Sequence, residues 1–174
     1  MNIIIQLIGG IGIIASIISF QCKKHNSILL FRTLNEAVFA LQYFLLGAYT
    51  GMAMNLVGCS RNIIFTKQVL KNKKTTLTAI IFGIIFVFFG ICTWQGLKSM
   101  LIIIAKVLST IAYGNKNTTI VRVIIFITST SWLIYNYCIF SLAGVLCEAF
   151  TLISLIAGII RLDIIPALSN ESKV

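Results

Sequence analysis

Long apolar runs separated by short polar segments dominate the chain. We read seven runs as helices, and they cover residues 3–20, 28–46, 51–65, 77–94, 99–113, 120–139 and 142–160. A helix needs about 20 apolar residues to cross roughly 30 Å of hydrocarbon, and in lipid its backbone must satisfy its own hydrogen bonds. The pattern therefore predicts seven transmembrane helices, although the third and fifth runs are short for a span.

The composition supports a membrane protein and excludes two other classes. Apolar residues make up 59% of the 174 residues and charged residues only 10%, whereas about a quarter of a typical soluble domain is charged. The same apolar content excludes a disordered chain. Residues 1–20 lack a basic start and a small-residue cleavage site, so we expect a retained helix rather than a removable signal peptide.

The basic residues lie unevenly across the predicted loops. Nine of the fourteen Lys and Arg residues fall in loops or in the tail on one side of the membrane, whereas Lys98 alone falls on the other side. By the positive-inside rule, the basic side is cytoplasmic. We therefore expect a multi-pass protein of the plasma (inner) membrane, with its amino terminus outside and its carboxyl terminus cytoplasmic. This asymmetry accounts for the net charge of +10 without a nucleic-acid partner.

Few residues suggest enzymatic or metal chemistry. The five cysteines are scattered singly, four of them inside apolar runs, and the only histidine is His25. This pattern predicts buried thiols rather than a disulfide scaffold or a metal site. The chain has no nucleophile elbow, zinc-protease, dinucleotide-binding or P-loop motif. We expect a protein that is not an enzyme and that uses no cofactor and no metal.

Two short connections that contain glycine and no charge suggest an internal repeat. One covers residues 47–51 after the second run, and the other covers residues 141–144 after the sixth. Aligning Gly51 with Gly144 equates Tyr43 with Asn136 and Asn55 with Glu148. Each half also has an arginine early in its second helix, Arg32 and Arg122, and one near the end of its third, Arg61 and Arg161, although this last pair needs gaps.

The repeat predicts the domain organisation. Two repeats of three spans share one orientation only if an odd number of helices lies between them, and the fourth run supplies that helix. The predicted fold is an all-α integral membrane protein with seven transmembrane helices in a 3+1+3 arrangement of two parallel three-helix repeats. Its parts are the first repeat (1–66), a basic loop and linker helix (67–98), the second repeat (99–161) and a cytoplasmic tail (162–174).

The segment QYFLLGAYTG at residues 42–51 is followed by Asn55 and by the pair Arg61 and Asn62. It resembles the YgjV family of bacterial inner-membrane proteins. The 3+1+3 arrangement with parallel repeats resembles the wider PQ-loop (MtN3-like) superfamily, which includes the SWEET sugar transporters. This resemblance implies a transporter fold.

Two features depart from the superfamily pattern. The PQ motif that names it is degraded, because Gln21 follows Phe20 rather than a proline. SWEET transporters resemble one another in having prolines that help their first helices to bend, whereas the only proline here is Pro166 in the tail. The absence of these hinge prolines favours a protein of the same fold that does not transport.

Ionisable residues inside the apolar runs are candidates for function because charges at mid-membrane are costly. Arg32 and Glu36 are one helical turn apart and permit an ion pair. This pair either lines the cytoplasmic half of a path or allows the arginine to reach the membrane interface. Lys106 and Glu148 lie about 10 Å from the outer ends of their helices by helical rise. They form either a lock between helices or a site for substrate or proton. Arg122 joins these residues as a gating candidate.

A polar and aromatic group is predicted in the outer half of the membrane. Trp132 and Asn136 fall on one face of the sixth helix, while Asn55 and Glu148 occupy matching places on the third and seventh. An aromatic ring covers C–H surface and carboxamides bind hydroxyls, which suits a sugar or a similar solute. The alternative is that Trp132 belongs to an interfacial aromatic belt.

The resemblance to SWEET transporters implies roles for these residues. Such transporters hold a sugar between an asparagine on the third helix and a tryptophan on the second helix of each repeat. Asn55 would match one asparagine and Glu148 would replace the other. Trp132 would be the stacking aromatic, with Phe39 or Tyr43 opposite.

The sequence thus predicts a SWEET-like transporter, passive or proton-coupled, that moves a small polar solute by alternating access. The alternative is a non-transporting membrane receptor or accessory protein of the same fold that binds a ligand or a protein partner. The expected partners are the lipid bilayer and a small polar solute, and a homo-oligomer is left open.

Overall fold

The computed structural model describes residues 3–21, 25–71, 73–113 and 118–160. Within them the chain forms seven α-helices and no strand: α1 (Ile3–Gln21), α2 (His25–Leu45), α3 (Tyr49–Leu70), α4 (Thr76–Cys92), α5 (Leu97–Tyr113), α6 (Thr118–Cys138) and α7 (Leu142–Ile159). The prediction of an all-helical protein with seven helices is confirmed for this part of the chain. Arg161, the last residue of the predicted second repeat, and the predicted tail with Pro166 lie outside the described residues.

Helix α3 extends further than the third apolar run predicted. The run ends at Phe65, whereas the helix continues to Leu70 and has 22 residues. Polar residues continue it, and the hydroxyl of Thr66 donates to the carbonyl of Asn62 at 2.7 Å. By the 1.5 Å rise per residue, α3 is about 33 Å long. The helix is therefore long enough for a bilayer, which the apolar run alone was not.

Two helical segments are long and apolar enough to cross a membrane by length and composition. They are Ile120–Cys138 in α6 and Leu142–Ile159, which is α7. Ile3–Ser19 and Thr76–Cys92 are shorter apolar helices. Large apolar side chains lie exposed along the outside of the bundle, as Leu77 shows at 70%. An outer surface of this kind is suited to contact with lipid.

Six helices pack in a closed ring. In order around the ring, they are α1, α2, α3, α5, α6 and α7, and α7 packs against α1. We call α1 to α3 the first half and α5 to α7 the second half. The two halves meet at two seams, α1/α7 and α3/α5. Helix α4 packs against α3 and α5 on the outside of the ring, where Phe82, Phe86 and Gly90 form its buried face.

The turns α2–α3 and α6–α7 have the same backbone structure. Ala48 N donates to Tyr43 O at 2.8 Å, and Ser141 N donates to Asn136 O at 3.0 Å. Each turn has one residue with a left-handed backbone, Gly47 at φ 69° and Phe140 at φ 56°. We call the end of the ring where these turns lie the turn end. The opposite end, with its exposed lysines between α3 and α4, is the basic end.

The aromatic and aliphatic core lies between the halves and under α4. Its most buried members include Met54, Phe86 and Tyr135, each fully shielded. The expectation of buried thiols is wrong for Cys92 and Cys138, which are exposed, although Cys147 is buried. The physical reason is that a helix facing lipid is apolar on its outer face as well, so an apolar run does not distinguish the core from the bilayer.

Candidate functional site

A cavity of about 110 Å³ lies at the centre of the ring. All six ring helices contribute side chains to its lining. The structure brings nine of the ten predicted site residues to this cavity: Arg32, Glu36, Phe39, Tyr43, Asn55, Lys106, Trp132, Asn136 and Glu148. The tenth, Arg122, lies half-buried near the start of α6. It is a described residue, but the cavity lining does not include it.

The strongest charges in the cavity meet at Glu36. Its Oε1 atom accepts from Lys106 Nζ at 2.9 Å and from Arg61 Nη2 at 3.3 Å. These are the ion pairs that the structure shows among the described residues. One carboxylate on α2 thus binds a cation from α3 in its own half and a cation from α5 in the other half. We call Glu36, Arg61 and Lys106 the charge cluster.

Arg61 is held from several directions and is only 1% exposed. Its Nη1 donates to Thr110 Oγ1 at 2.8 Å on α5, and its Nη2 donates to Asn62 Oδ1 at 3.0 Å. The guanidinium carbon lies 5.6 Å from the centre of the Phe86 ring, a distance suited to a cation–π contact. Arg61 therefore joins α3 to α5 across the seam.

Gly58 makes room for the charge cluster. A methyl group built on this residue would collide with Glu36 Oε2 and would lie 2.9 Å from Lys106 Nζ. Glu36 Oε2 is buried and has no hydrogen-bond partner among the described residues. The close approach of α3 to this carboxylate thus depends on a residue without a side chain.

The structure gives the predicted charges different partners from those expected. Glu36 pairs with Arg61 and Lys106, whereas the spacing permitted a pair with Arg32. Lys106 bonds Glu36, whereas a pair with Glu148 was expected. Arg32 and Glu148 both line the cavity. The physical reason is that α5 packs against α3 at the seam, which brings Lys106 beside the first half. The depth of a residue along its own helix does not show which neighbouring helix that residue faces.

Aromatic rings and one carboxamide form a layer nearer the turn end. The hydroxyl of Tyr43 donates to Asn136 Oδ1 at 2.8 Å. The Tyr43 and Trp132 rings stack with centroids 6.0 Å apart, and Tyr135 packs edge-on against both rings. Tyr135 also accepts from Gly51 N at 3.0 Å. The layer therefore joins the first half to the second on the turn-end side of the charge cluster.

Trp132 connects this layer to the charge cluster. Lys106 Nζ lies 5.3 Å from the centre of the Trp132 ring, within the range of a cation–π contact. Asn55 and Glu148 line the same cavity on α3 and α7, each about 9 Å from the start of its helix by helical rise. Glu148 forms no ion pair within the described part of the chain.

Sequence reasoning missed Arg61 and Asn35 as residues of this site. Asn35 Nδ2 donates to Gly12 O at 2.8 Å and lines the cavity. One signal for Arg61 was present, since an arginine inside an apolar helix needs a partner and Gly58 lies one turn before it. Asn35 gave no such signal, because an asparagine next to Glu36 fits an exposed helix face equally well.

The described residues include no group of three His, Cys, Asp or Glu side chains that could hold a metal ion. The side chains that line the cavity offer hydrogen-bonding groups, charges and aromatic faces.

Comparison with protein-family models gives a match over most of the chain. The family model named Imp-YgjV, described as bacterial inner membrane protein, matches residues 3–164. The match extends far beyond the segment at residues 42–51 that suggested the resemblance. No curated protein and no solved structure matches the chain.

Proposed function

Because the chain belongs to the Imp-YgjV family of bacterial inner membrane proteins, we propose that it carries a small polar solute across that membrane by alternating access. Its location in a lipid bilayer is the premise of this proposal. A polar cavity inside a membrane protein is costly, since buried charges and amides lose their water. Such a cavity is expected where a solute replaces the water.

The polar cavity inside the six-helix ring is the observation that carries the proposal. Both halves contribute to its lining, with Asn55 from the first half and Asn136 and Glu148 from the second. A cavity shared by two halves is the arrangement that alternating access requires, because relative motion of the halves opens one end and closes the other. The proposed route runs along the ring axis.

The size of the cavity bears on the solute. A cavity needs roughly 10 to 15 Å³ of volume to hold a single water. The cavity of about 110 Å³ therefore holds several waters or one solute of a few non-hydrogen atoms. A sugar requires the cavity to widen. We therefore place small polyols and small amino acids beside sugars as candidate solutes.

The matched turns support the proposed 3+1+3 arrangement and a place near the PQ-loop superfamily. The turns have the same hydrogen bonds and the same left-handed position, 93 residues apart. α4 lies outside the ring between the halves, as a linker helix would. In this proposal the amino terminus and the turn end face outward and the basic end faces the cytoplasm, in accord with the positive-inside rule.

A ligand-binding receptor of the same fold is the second candidate function. The charge cluster favours it, because Glu36 and Arg61 bind α5 residues and so hold the α3/α5 seam together. The ring helices have no proline within the described residues, and proline is one cause of helix bending. A receptor needs the cavity but does not need the halves to move.

Uptake into liposomes separates the two candidates. Purified protein is reconstituted and tested with radiolabelled sugars, polyols and amino acids, and a carrier accumulates at least one of them above protein-free liposomes. Ser129→Ala, which alters the cavity, should change the KM for that solute by several-fold. Ser131→Ala is the matched control, because Ser131 lies two residues away and donates to Ile127 O within its own helix. Binding of a panel member without uptake would favour the receptor.

A further inference from the structure

A glutamine from the first half holds the α6–α7 turn of the second half. Gln6 Nε2, in α1, donates to Phe140 O at 3.1 Å. Gln6 Oε1 accepts from Ala143 N at 3.2 Å. The side-chain amide of Gln6 thus bonds two backbone groups of the turn: the carbonyl of the left-handed residue Phe140 and the N–H of Ala143, three positions later. This contact crosses the α1/α7 seam.

The α2–α3 turn is held in the same way at the other seam. Gln95 precedes α5, and its Nε2 donates to Gly47 O at 2.8 Å. Its Oε1 accepts from Thr50 N at 3.4 Å. Gly47 and Thr50 lie 93 residues before Phe140 and Ala143, so the two glutamines bond equivalent atoms of equivalent turns. We call these contacts the Gln6 clamp and the Gln95 clamp.

Buried side chains fix both glutamines. Gln42 Nε2 donates to Gln6 Oε1 at 3.2 Å, and Ser141 Oγ donates to Gln42 Oε1 at 3.2 Å. Ser99 Oγ accepts from Gln95 N at 2.9 Å, which ties Gln95 to the second half. Each clamp therefore begins in one half and ends on the other.

Glutamine suits both clamps because each turn offers it one backbone carbonyl and one backbone amide. These backbone groups lie where one helix ends and the next begins, and the end groups of a helix have no partner within it. A carboxamide supplies one acceptor and two donors on a single group. Separation of the halves at the turn end exposes the same backbone atoms to water, which then replaces the glutamine. The contact can thus be broken and remade.

We propose that the Gln6 and Gln95 clamps form the gate at the turn end, and that both must release before the cavity opens to that side. The cavity lining extends from Gly144, near the turn end, to Ser16 and Arg32 toward the basic end. The clamps therefore lie at the turn end, on the outer side of the cavity. This inference rests on the proposed transport function, since a gate has a purpose only where the halves move.

Labelling of Cys147 tests the gate without any solute. This cysteine lines the cavity and is 5% exposed. Cys22, Cys59, Cys92 and Cys138 are first replaced by alanine. A membrane-impermeant maleimide is then added to spheroplasts or to inverted vesicles, and the labelling rate from each side is measured.

We expect Gln6→Ala and Gln95→Ala each to raise the labelling rate from the turn side by about tenfold, as the loss of two hydrogen bonds implies. Gln68→Ala is the matched control. Gln68 Nε2 donates to Thr78 Oγ1 near the basic end, so its loss touches neither turn. If Gln6→Ala fails to fold, Gln6→Glu keeps the volume and the acceptor for Ala143 N but loses the N–H group that bonds Phe140. The loss of one hydrogen bond implies a smaller increase, of about threefold.

Equal labelling rates in the parent protein and in both clamp variants would overturn the gate. So would an equal increase in Gln68→Ala, because the effect would then be general loosening. Failure of the gate and failure of transport are distinguishable. Faster labelling without uptake of any panel solute would contradict the proposed transport and support the gate. Uptake with unchanged labelling would support transport and contradict the gate.

Discussion

The hydroxyl of Tyr43 donates to Asn136 Oδ1 at 2.8 Å across the centre of the ring. The two residues hold the same position relative to their turns, since the carbonyl of each accepts from the backbone amide five residues later. In the proposed arrangement of two repeats, a contact between equivalent residues lies where a twofold axis between the halves would pass. The bond therefore marks the centre of the aromatic layer and joins the two halves at that point.

We expect Tyr43 and Asn136 to be energetically coupled. Tyr43→Phe and Asn136→Leu should each lower the free energy of unfolding by about 1 to 3 kcal/mol, because each leaves a buried polar partner unsatisfied. The double variant should lose less than the sum, by about 1 kcal/mol. Unfolding in detergent micelles measures the cycle, and Tyr137→Phe, at a position that is 75% exposed, is the control. Strict additivity would contradict the coupling.

Removal of the Glu36 carboxylate should be far more damaging than removal of the other carboxylate in the cavity. Glu36→Leu leaves Lys106 and Arg61 buried without their ion-pair partner, and breaking a buried pair in this way costs about 3 to 5 kcal/mol. Glu148→Leu is the matched control, because Glu148 forms no ion pair among the described residues. Melting temperatures of the purified variants compare them. Equal losses would mean that the charge cluster does not stabilise the ring.

A methyl group at Gly58 should disturb the charge cluster. Gly58→Ala places Cβ against the carboxylate of Glu36 and the ammonium group of Lys106, and overpacking of this kind costs about 1 to 3 kcal/mol. Gly10→Ala, also mid-helix, meets nothing within 4 Å and should be neutral or should stabilise by about 0.5 to 1 kcal/mol. Thermal unfolding of both variants provides the test. A stabilised Gly58→Ala variant would show that α3 lies further from Glu36.

The two chain ends should lie on opposite sides of the membrane. The proposed seven crossings and the excess of lysine at the basic end predict that the amino terminus is periplasmic and that Val174 is cytoplasmic. Alkaline phosphatase and green fluorescent protein fused at each end report the side, since the first is active only outside and the second fluoresces only inside. Both ends on one side would require an even number of crossings.

Much of the helical framework follows from the sequence because apolar periodicity and length are local properties. All seven helices were expected, and nine of the ten residues singled out inside them line the one central cavity. In lipid such side chains have few other places to go. The true length of α3 was not expected, because Thr66, Lys67 and Gln68 continue the helix with polar side chains.

The partners of these residues did not follow from the sequence. Helix spacing identifies neighbours on one helix, as it does for Arg32 and Glu36, but the pairing of Glu36 with Lys106 depends on how α2, α3 and α5 pack together. The same is true of Gln6 and Gln95. Each is an ordinary polar residue near a helix start, and its role depends on a turn that is far away in the chain.

Helix α4 makes the two seams of the ring mechanically unequal. It packs against both α3 and α5 and so spans one seam from outside, whereas the α1/α7 seam has no such strap among the described helices. When both clamps release, the α3/α5 seam should open less than the α1/α7 seam, because α4 restrains it from outside. If the halves separate, spin labels across α1/α7 should therefore move apart by more than labels across α3/α5. Lipid would then meet the opening on the side of α1 and α7.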